Sequence, residues 1–227
     1  MTYMGERIVF YDRNFEFPTN KRLLYVVAKN GNFLWGCIKQ GDETWIEIVA
    51  PTNRKIIESC QPEDLLNFEQ KIYTSFSKIP YGLILMAKGF FRKVYEKFQS
   101  EAMLQILYSP EEDKWDFRPL HQKVSFASVQ HREIEPIPEG FLAVGIIHSH
   151  GIMLAGHSLE DDFNETGVDG IYITLGRVFD GPVNMSVSVT ICGLRFILSP
   201  DFLIDMPDQI SYFPEDWLWY VRRGENQ

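Results

Sequence analysis

The feature that most constrains this chain is a succession of short apolar, β-prone runs between residues 102 and 198. Ala102 to Tyr108, Val124 to Val129, Phe141 to His148, Gly170 to Leu175, Val183 to Cys192 and Leu194 to Leu198 each read as a strand. Within them MSVSVTI alternates cleanly at period two, and a polar turn at Ser109 to Lys114 closes the first run. A helix from about Ile84 to Gln99 precedes them, with Phe91, Val94, Tyr95 and Phe98 on one face. A helix followed by strands predicts an α/β domain, of the α+β kind, over residues 80–206.

The stretch before it is written differently. Ile8 to Tyr11, Leu23 to Ala28, Phe33 to Ile38 and Thr44 to Val49 read as strands, and Asn30-Gly31-Asn32 between two of them is a hairpin signal. Pro62-Glu63-Asp64 then reads as a helix start, because Leu65, Phe68, Ile72 and Phe76 recur at helical spacing until Pro80-Tyr81-Gly82. Residues 1–79 are therefore expected to form a small β-rich N-terminal domain, to which no motif assigns a function. Residues 207–227 form a tail carrying Phe213, Trp217, Trp219 and Tyr220, expected to dock on its own domain.

At 227 residues the chain can bury a core without metal or disulfide staples, so a metal in it is expected to serve chemistry rather than folding. Its 22 basic against 31 acidic residues give a net charge of -9, which argues against a phosphate-backbone binder and hence against nucleic acid as partner. Cys37, Cys60 and Cys192 are odd in number, far apart and in no CxxC arrangement, so neither a disulfide framework nor a thiolate zinc site is expected. A reducing cytoplasm fits best. No segment has the 18 or more apolar residues of a membrane span, and the charged N-terminus lacks the apolar core of a signal peptide. A soluble, cytoplasmic protein without membrane attachment is the expectation.

Chemistry concentrates in one stretch, Gly145 to Asp161. His148 and His150 end an apolar run, and their i, i+2 spacing in a strand puts both imidazoles on one face. Such a pair is often structural or incidental, but Asp161 lies eleven residues on. The intervening loop can fold that carboxylate back and complete two histidines and one carboxylate, a zinc set with its fourth position open. Ser158-Leu159-Glu160-Asp161 also reads as a helix N-terminus with Ser158 as its cap, and a cap there would fix where Asp161 points. Glu160, Asp162 and Glu165 read as solvated first-turn acids, and His157 falls off the ligand register.

His148-Ser149-His150, seven residues, then Ser158-Leu159-Glu160-Asp161 resembles the His-x-His-x7-Ser-x-x-Asp signature of the JAMM, or MPN-type, zinc metalloproteases. That family includes deubiquitinases and bacterial relatives. It also carries a glutamate just after its first long helix, and Glu101 in Ser100-Glu101-Ala102-Met103 stands at that place. A finer resemblance is to bacterial members encoded beside ubiquitin-like modifiers, among them the A proteins of the PRTRC cassette. It rests on Glu101-Ala-Met-Leu, Pro119 to Ser125, Asp161-Asp162 and Leu175-Gly176-Arg177. The similarity spans about residues 84–200, and no room is visible for the two long insertions with which eukaryotic relatives grip ubiquitin.

The resemblance implies a central mixed β-sheet flanked by helices, in a cytidine-deaminase-like arrangement. It implies Zn2+ held by His148, His150 and Asp161, Glu101 as general base and Ser158 as oxyanion donor. The partner it implies is a ubiquitin-like protein, entering by its extended, small-residue C-terminal tail, together with its conjugates. The cognate activating and conjugating enzymes are further partner candidates. Two alternatives keep the same scaffold of residues: a hydrolase of a sulfur-carrier-type protein or small peptide, and a scaffold without catalysis.

Overall fold

The structure, a computed structural model, describes residues 8–17, 22–40, 43–53, 64–125, 128–131, 136–156, 168–206 and 214–223. The chain divides into two compact units, residues 1–75 with 191–196, and residues 76–190 with 197–227.

The first unit is built on a five-stranded sheet in sequential order. Its strands are β1 (Ile8–Phe10), β2 (Leu23–Ala28), β3 (Gly31–Gln40), β4 (Glu43–Pro51) and β5 (Lys71–Thr74). β1 runs parallel to β2, and every other neighbour is antiparallel. All six residues of β2 are buried, which is why LLYVVA reads as an unbroken apolar run rather than an alternating one. Leu24, Val26, Phe33, Trp35, Cys37, Val49 and Phe68 form its core, lined by Tyr11 and Phe17.

Two local expectations shift here. The β2–β3 turn is Lys29-Asn30, since Ala28 pairs with Gly31 and Val27 with Asn32. The helix expected from residue 62 is not formed over its described part: residues 65–70 lie outside regular structure and Lys71–Thr74 is a strand. Its backbone is spent on distant partners instead. Leu66 N donates to Tyr11 O (2.8 Å), Lys29 N donates to Leu66 O (3.0 Å), and the Asn30 amide exchanges two 2.9 Å hydrogen bonds with Phe68 N and O. Burying Leu65 and Phe68 in this extended form satisfies the same apolar positions that mimic helical spacing.

The second unit begins with β6 (Ile79–Pro80) and α1 (Tyr81–Phe98). Ile84, Ala87, Phe90, Phe91, Val94 and Tyr95 make the buried stripe of α1, and Gln99 ends the helix in the left-handed region at φ 53°. Then come β7 (Met103–Ser109), β8 (Lys114–Pro119), β9 (Gln122–Ser125), β10 (Ser128–His131), β11 (Leu142–Ser149), β12 (Gly170–Gly176), β13 (Asn184–Ile191), β14 (Leu194–Leu198), of which residues 194–196 are counted with the first unit, β15 (Ile204–Asp205) and β16 (Val221–Arg223). Six of these form one mixed sheet in the order β14-β13-β12-β11-β7-β8, with β11 and β12 its parallel pair. β10-β9-β16 form a three-stranded sheet, and β15 pairs with β6. The run from Val124 to Val129, expected as one strand, is thus split between β9 and β10. In the tail, Trp217 packs edge-on against Phe90 of α1 at 5.5 Å.

The expected α/β class, a sheet flanked by helices in the JAMM arrangement, is overturned. The chain is mostly β-sheet, 48% strand against 16% helix, with sheets of five and six strands. Among the described residues α1 is the one α-helix, and the second predicted helix is an extended segment and a strand. A single helix ahead of a run of strands carries the pattern from which an α/β layer is read, yet covers too little surface to flank a six-stranded sheet. Among the described residues no helix is long and apolar enough to cross a membrane.

Candidate functional site

The site forms where β11 ends beside the start of β7. β7 and β11 are antiparallel, with Met103 opposite His148 and Leu104 opposite Ile147. Past that pair the register continues, because Ser149 N donates to Ala102 O at 2.9 Å. Met103 and His148, directly opposite each other, share one face of the sheet, and Glu101 and His150 flank this end of the ladder, each just outside its strand. The strand register thus brings residues 101 and 148–150, some fifty apart in sequence, to the same end of the sheet.

His148 and His150 are buried, at 8% and 9% exposure, and their ring centres are 5.2 Å apart with planes inclined at 41°. Two imidazoles bound to one tetrahedral zinc at Zn–N distances of about 2.0–2.1 Å have ring centres roughly 5 Å apart. The spacing fits. His150 Nδ1 faces Leu154 O at 3.2 Å, and with the proton on Nδ1 that carbonyl is its acceptor, leaving Nε2 as the lone-pair nitrogen. Thr174 Oγ1, on β12, lies 3.4 Å from His148 Nε2. Each ring thus has a polar neighbour of the kind that orients a metal-binding histidine.

The loop after His150 is held from several sides. Met153 N donates to His150 O (2.9 Å), Arg177 N to Met153 O (2.7 Å), Val178 N to Gly151 O (3.0 Å) and Ala155 N to Asn184 Oδ1 (2.6 Å). Two glycines permit this packing. Gly151 has φ +55°, and a Cβ there would lie 2.6 Å from the Tyr95 ring; at Gly176 a Cβ would lie 2.1 Å from Ala155 N. Ile152, Met153 and Leu154 are exposed on the outer side of the loop.

Of the five residues singled out in the sequence, Glu101, His148 and His150 are described: the two imidazoles lie side by side, and Glu101 is at the same end of the sheet. Ser158 and Asp161 lie outside the described residues, as do His157, Glu160, Asp162 and Glu165. Among the described residues no group of three or more His, Cys, Asp and Glu side chains is placed to hold a metal. Of the zinc set expected from the sequence, the described part is the histidine pair, two imidazoles of the kind that ion takes as ligands.

Sequence reading gave no role to Thr174, Leu154, Ser149 or Gln122. Ser149 is the middle residue of the His-x-His triplet and so points to the other face of β11, where its hydroxyl accepts Ala102 N at 3.1 Å. Gln122 lay within Pro119 to Ser125, one of the stretches of the finer resemblance, with no role attached. No protein-family model matches the chain, and no curated protein matches it. Its likeness to any family therefore rests on the residues themselves.

Proposed function

We propose that this chain is a zinc-dependent isopeptidase or peptidase that removes a ubiquitin-like protein from its targets or processes that protein's C-terminus. The observation that carries the reading is the buried His148–His150 pair, whose 5.2 Å spacing suits a shared metal, with Glu101 at the same end of the sheet. Ser158 and Asp161, at the sequence spacing of the JAMM signature, complete the set. The fold carries none of the argument; function is read from the site.

In this mechanism His148, His150 and Asp161 would hold zinc. When bound, zinc supplies Lewis acidity, polarising a carbonyl and bringing the acidity of water toward neutral pH. Glu101 accepts the proton of the attacking water and returns it to the leaving amine, the two transfers that general base catalysis requires. The Ser158 hydroxyl donates to the carbonyl oxygen as that atom gains charge. Burial of the two imidazoles and the tethered loop after His150 keep their geometry fixed between substrates. The modifier's tail is the substrate segment, and the cognate activating and conjugating enzymes are natural companions of such an activity.

The test uses the full chain, zinc-loaded, and a ubiquitin-like protein with a C-terminal extension. Wild type is expected to cut after the modifier's last residue, and Glu101→Gln to bind one zinc without cutting. Zinc held by wild type with no cleavage of modifier fusions or conjugates overturns the isopeptidase reading. Cleavage of a sulfur-carrier adduct or short peptide alone then assigns the smaller substrate, and no hydrolysis of any of them assigns a scaffold.

A further inference from the structure

Two residues outside the proposed catalytic set take up every backbone hydrogen-bonding group immediately after Glu101. On one side Ser149 is bonded twice to Ala102: its N–H donates to Ala102 O at 2.9 Å and its Oγ accepts Ala102 N–H at 3.1 Å. On the other side Gln122 is bonded twice to Met103: Met103 N–H donates to Oε1 at 2.9 Å, and Nε2 donates to Met103 O at 2.9 Å. Nε2 also donates to Leu120 O at 3.1 Å, so the amide cannot flip without losing all three bonds. β8 reaches only as far as Leu104, which pairs with Pro119. Gln122 therefore serves Met103 as a strand neighbour would, with a side-chain amide in place of a peptide group. Both residues are buried, Ser149 at 1% and Gln122 at 3% exposure.

We infer that Gln122 and Ser149 are positioning residues for Glu101, a two-sided clamp on the backbone that directly follows it. The inference rests on the isopeptidase reading for its catalytic consequence. The residues after a helix C-terminus ordinarily fray, and 101–102 belong to no strand of their own. A general base displaced by about 1 Å loses much of its effect, so a segment that bears one has to be pinned by neighbours. Here the pins are side chains. Ser149 Oγ and the Gln122 amide spend their hydrogen bonds on the backbone that follows Glu101, not on the histidines.

The experiment compares wild type, Ser149→Ala, Ser149→Thr and Gln122→Met as full-length, zinc-loaded chains. It reads zinc content, kcat and KM on a modifier carrying a C-terminal extension, and hydrogen exchange at the Ala102 and Met103 amides. The expected result is faster exchange at Ala102 in Ser149→Ala and at Met103 in Gln122→Met. With it, kcat falls about 10- to 100-fold, while KM and zinc content hold. Ser149→Thr, which keeps the hydroxyl, is expected to restore both readouts. Active wild type with unaltered kcat in Ser149→Ala and Gln122→Met overturns the positioning role alone. Unaltered exchange in a folded Ser149→Ala overturns the clamp. Zinc-loaded wild type without turnover overturns the function and this assignment with it. If Gln122→Met fails to fold, Ser149→Ala and its threonine rescue decide the matter.

Discussion

The Tyr108 hydroxyl donates to Asp113 Oδ1 at 2.8 Å, and each group pushes the other's ionisation away from its ordinary value. Burial, then the bond to Asp113 and its charge, raise Tyr108 to about 12. The Tyr108 bond, followed by those from Ser77 N and Oγ, lowers Asp113. The pair closes the β7–β8 turn, where Asp113 sits at φ 46°.

The pH dependence follows from these directions. The raised Tyr108 contributes stability that is present below the unfolded tyrosine value of 10 and is lost as pH climbs toward 12. The lowered Asp113 contributes stability present above its unfolded value of 3.8 and lost as pH falls through its folded one. Tyr108→Phe is expected to cost about 1 kcal/mol at neutral pH, a modest figure because the carboxylate faces solvent. It is also expected to flatten both limbs of a plot of urea midpoint against pH. A variant whose acid and alkaline limbs match wild type would count against the coupling.

Lys88 on α1 directs its ammonium at three consecutive carbonyls, those of Asp180, Gly181 and Pro182. Burial lowers its pKa, with the Asp180 charge opposing. Lys88→Met keeps the aliphatic stem but gives up those bonds to water, and is expected to destabilise by about 1 kcal/mol, since the acceptors are on exposed residues. Thermal melts at pH 7 check this, with Lys88→Arg expected to lose less.

Gly176→Ala would force a methyl into the backbone of Met153, Leu154 and Ala155. The loop must then move, and Leu154 O with it, releasing the His150 ring from its acceptor. The expected outcome is destabilisation by about 1–3 kcal/mol together with zinc affinity weakened about 10- to 100-fold. Denaturant titration and competition against a zinc chelator read the two effects separately. Loss of stability with unchanged zinc affinity would detach the loop from the metal site.

Ser158→Ala is expected to retain one zinc per chain and to lose about 10^2- to 10^3-fold in kcat, the usual effect of removing one oxyanion donor. Steady-state kinetics with metal analysis on the same preparation checks it. Full turnover would take Ser158 out of the mechanism.

How far the sequence reached depends on the range of the interactions involved. The strand that bears His148 and ends just before His150 was legible because an apolar run of β-prone residues needs no partner to be recognised, and its observed bounds, Leu142–Ser149, fall one residue from the expected ones. The stripe on α1 was legible for the same reason. The segment from Leu65 to Phe76 misled because its apolar spacing is helical, while its backbone groups go to Tyr11, Lys29 and Asn30. Strand β8 was overlooked since KWDFRP alternates with charges and ends in proline, so its burial pattern shows only once β7 lies beside it. At the site, Thr174, Gln122 and Leu154 owe their places to cross-strand register and loop closure, which no local pattern encodes.

The parallel pairing of β11 with β12 has one more consequence, and it concerns time. An antiparallel neighbour is reached by a short turn, whereas a parallel one requires the chain to travel back along the strand before it can join. Gly145 pairs with Ile171 and Ser149 with Leu175, so residues 150–169 are that return path, and they include Ser158 and Asp161. Pairings across such a separation form slowly, because the entropy of closing the loop is spent before any contact repays it. Thr174 reaches His148 only after that closure. A newly synthesised chain consequently completes the proposed centre only once β12 has docked beside β11.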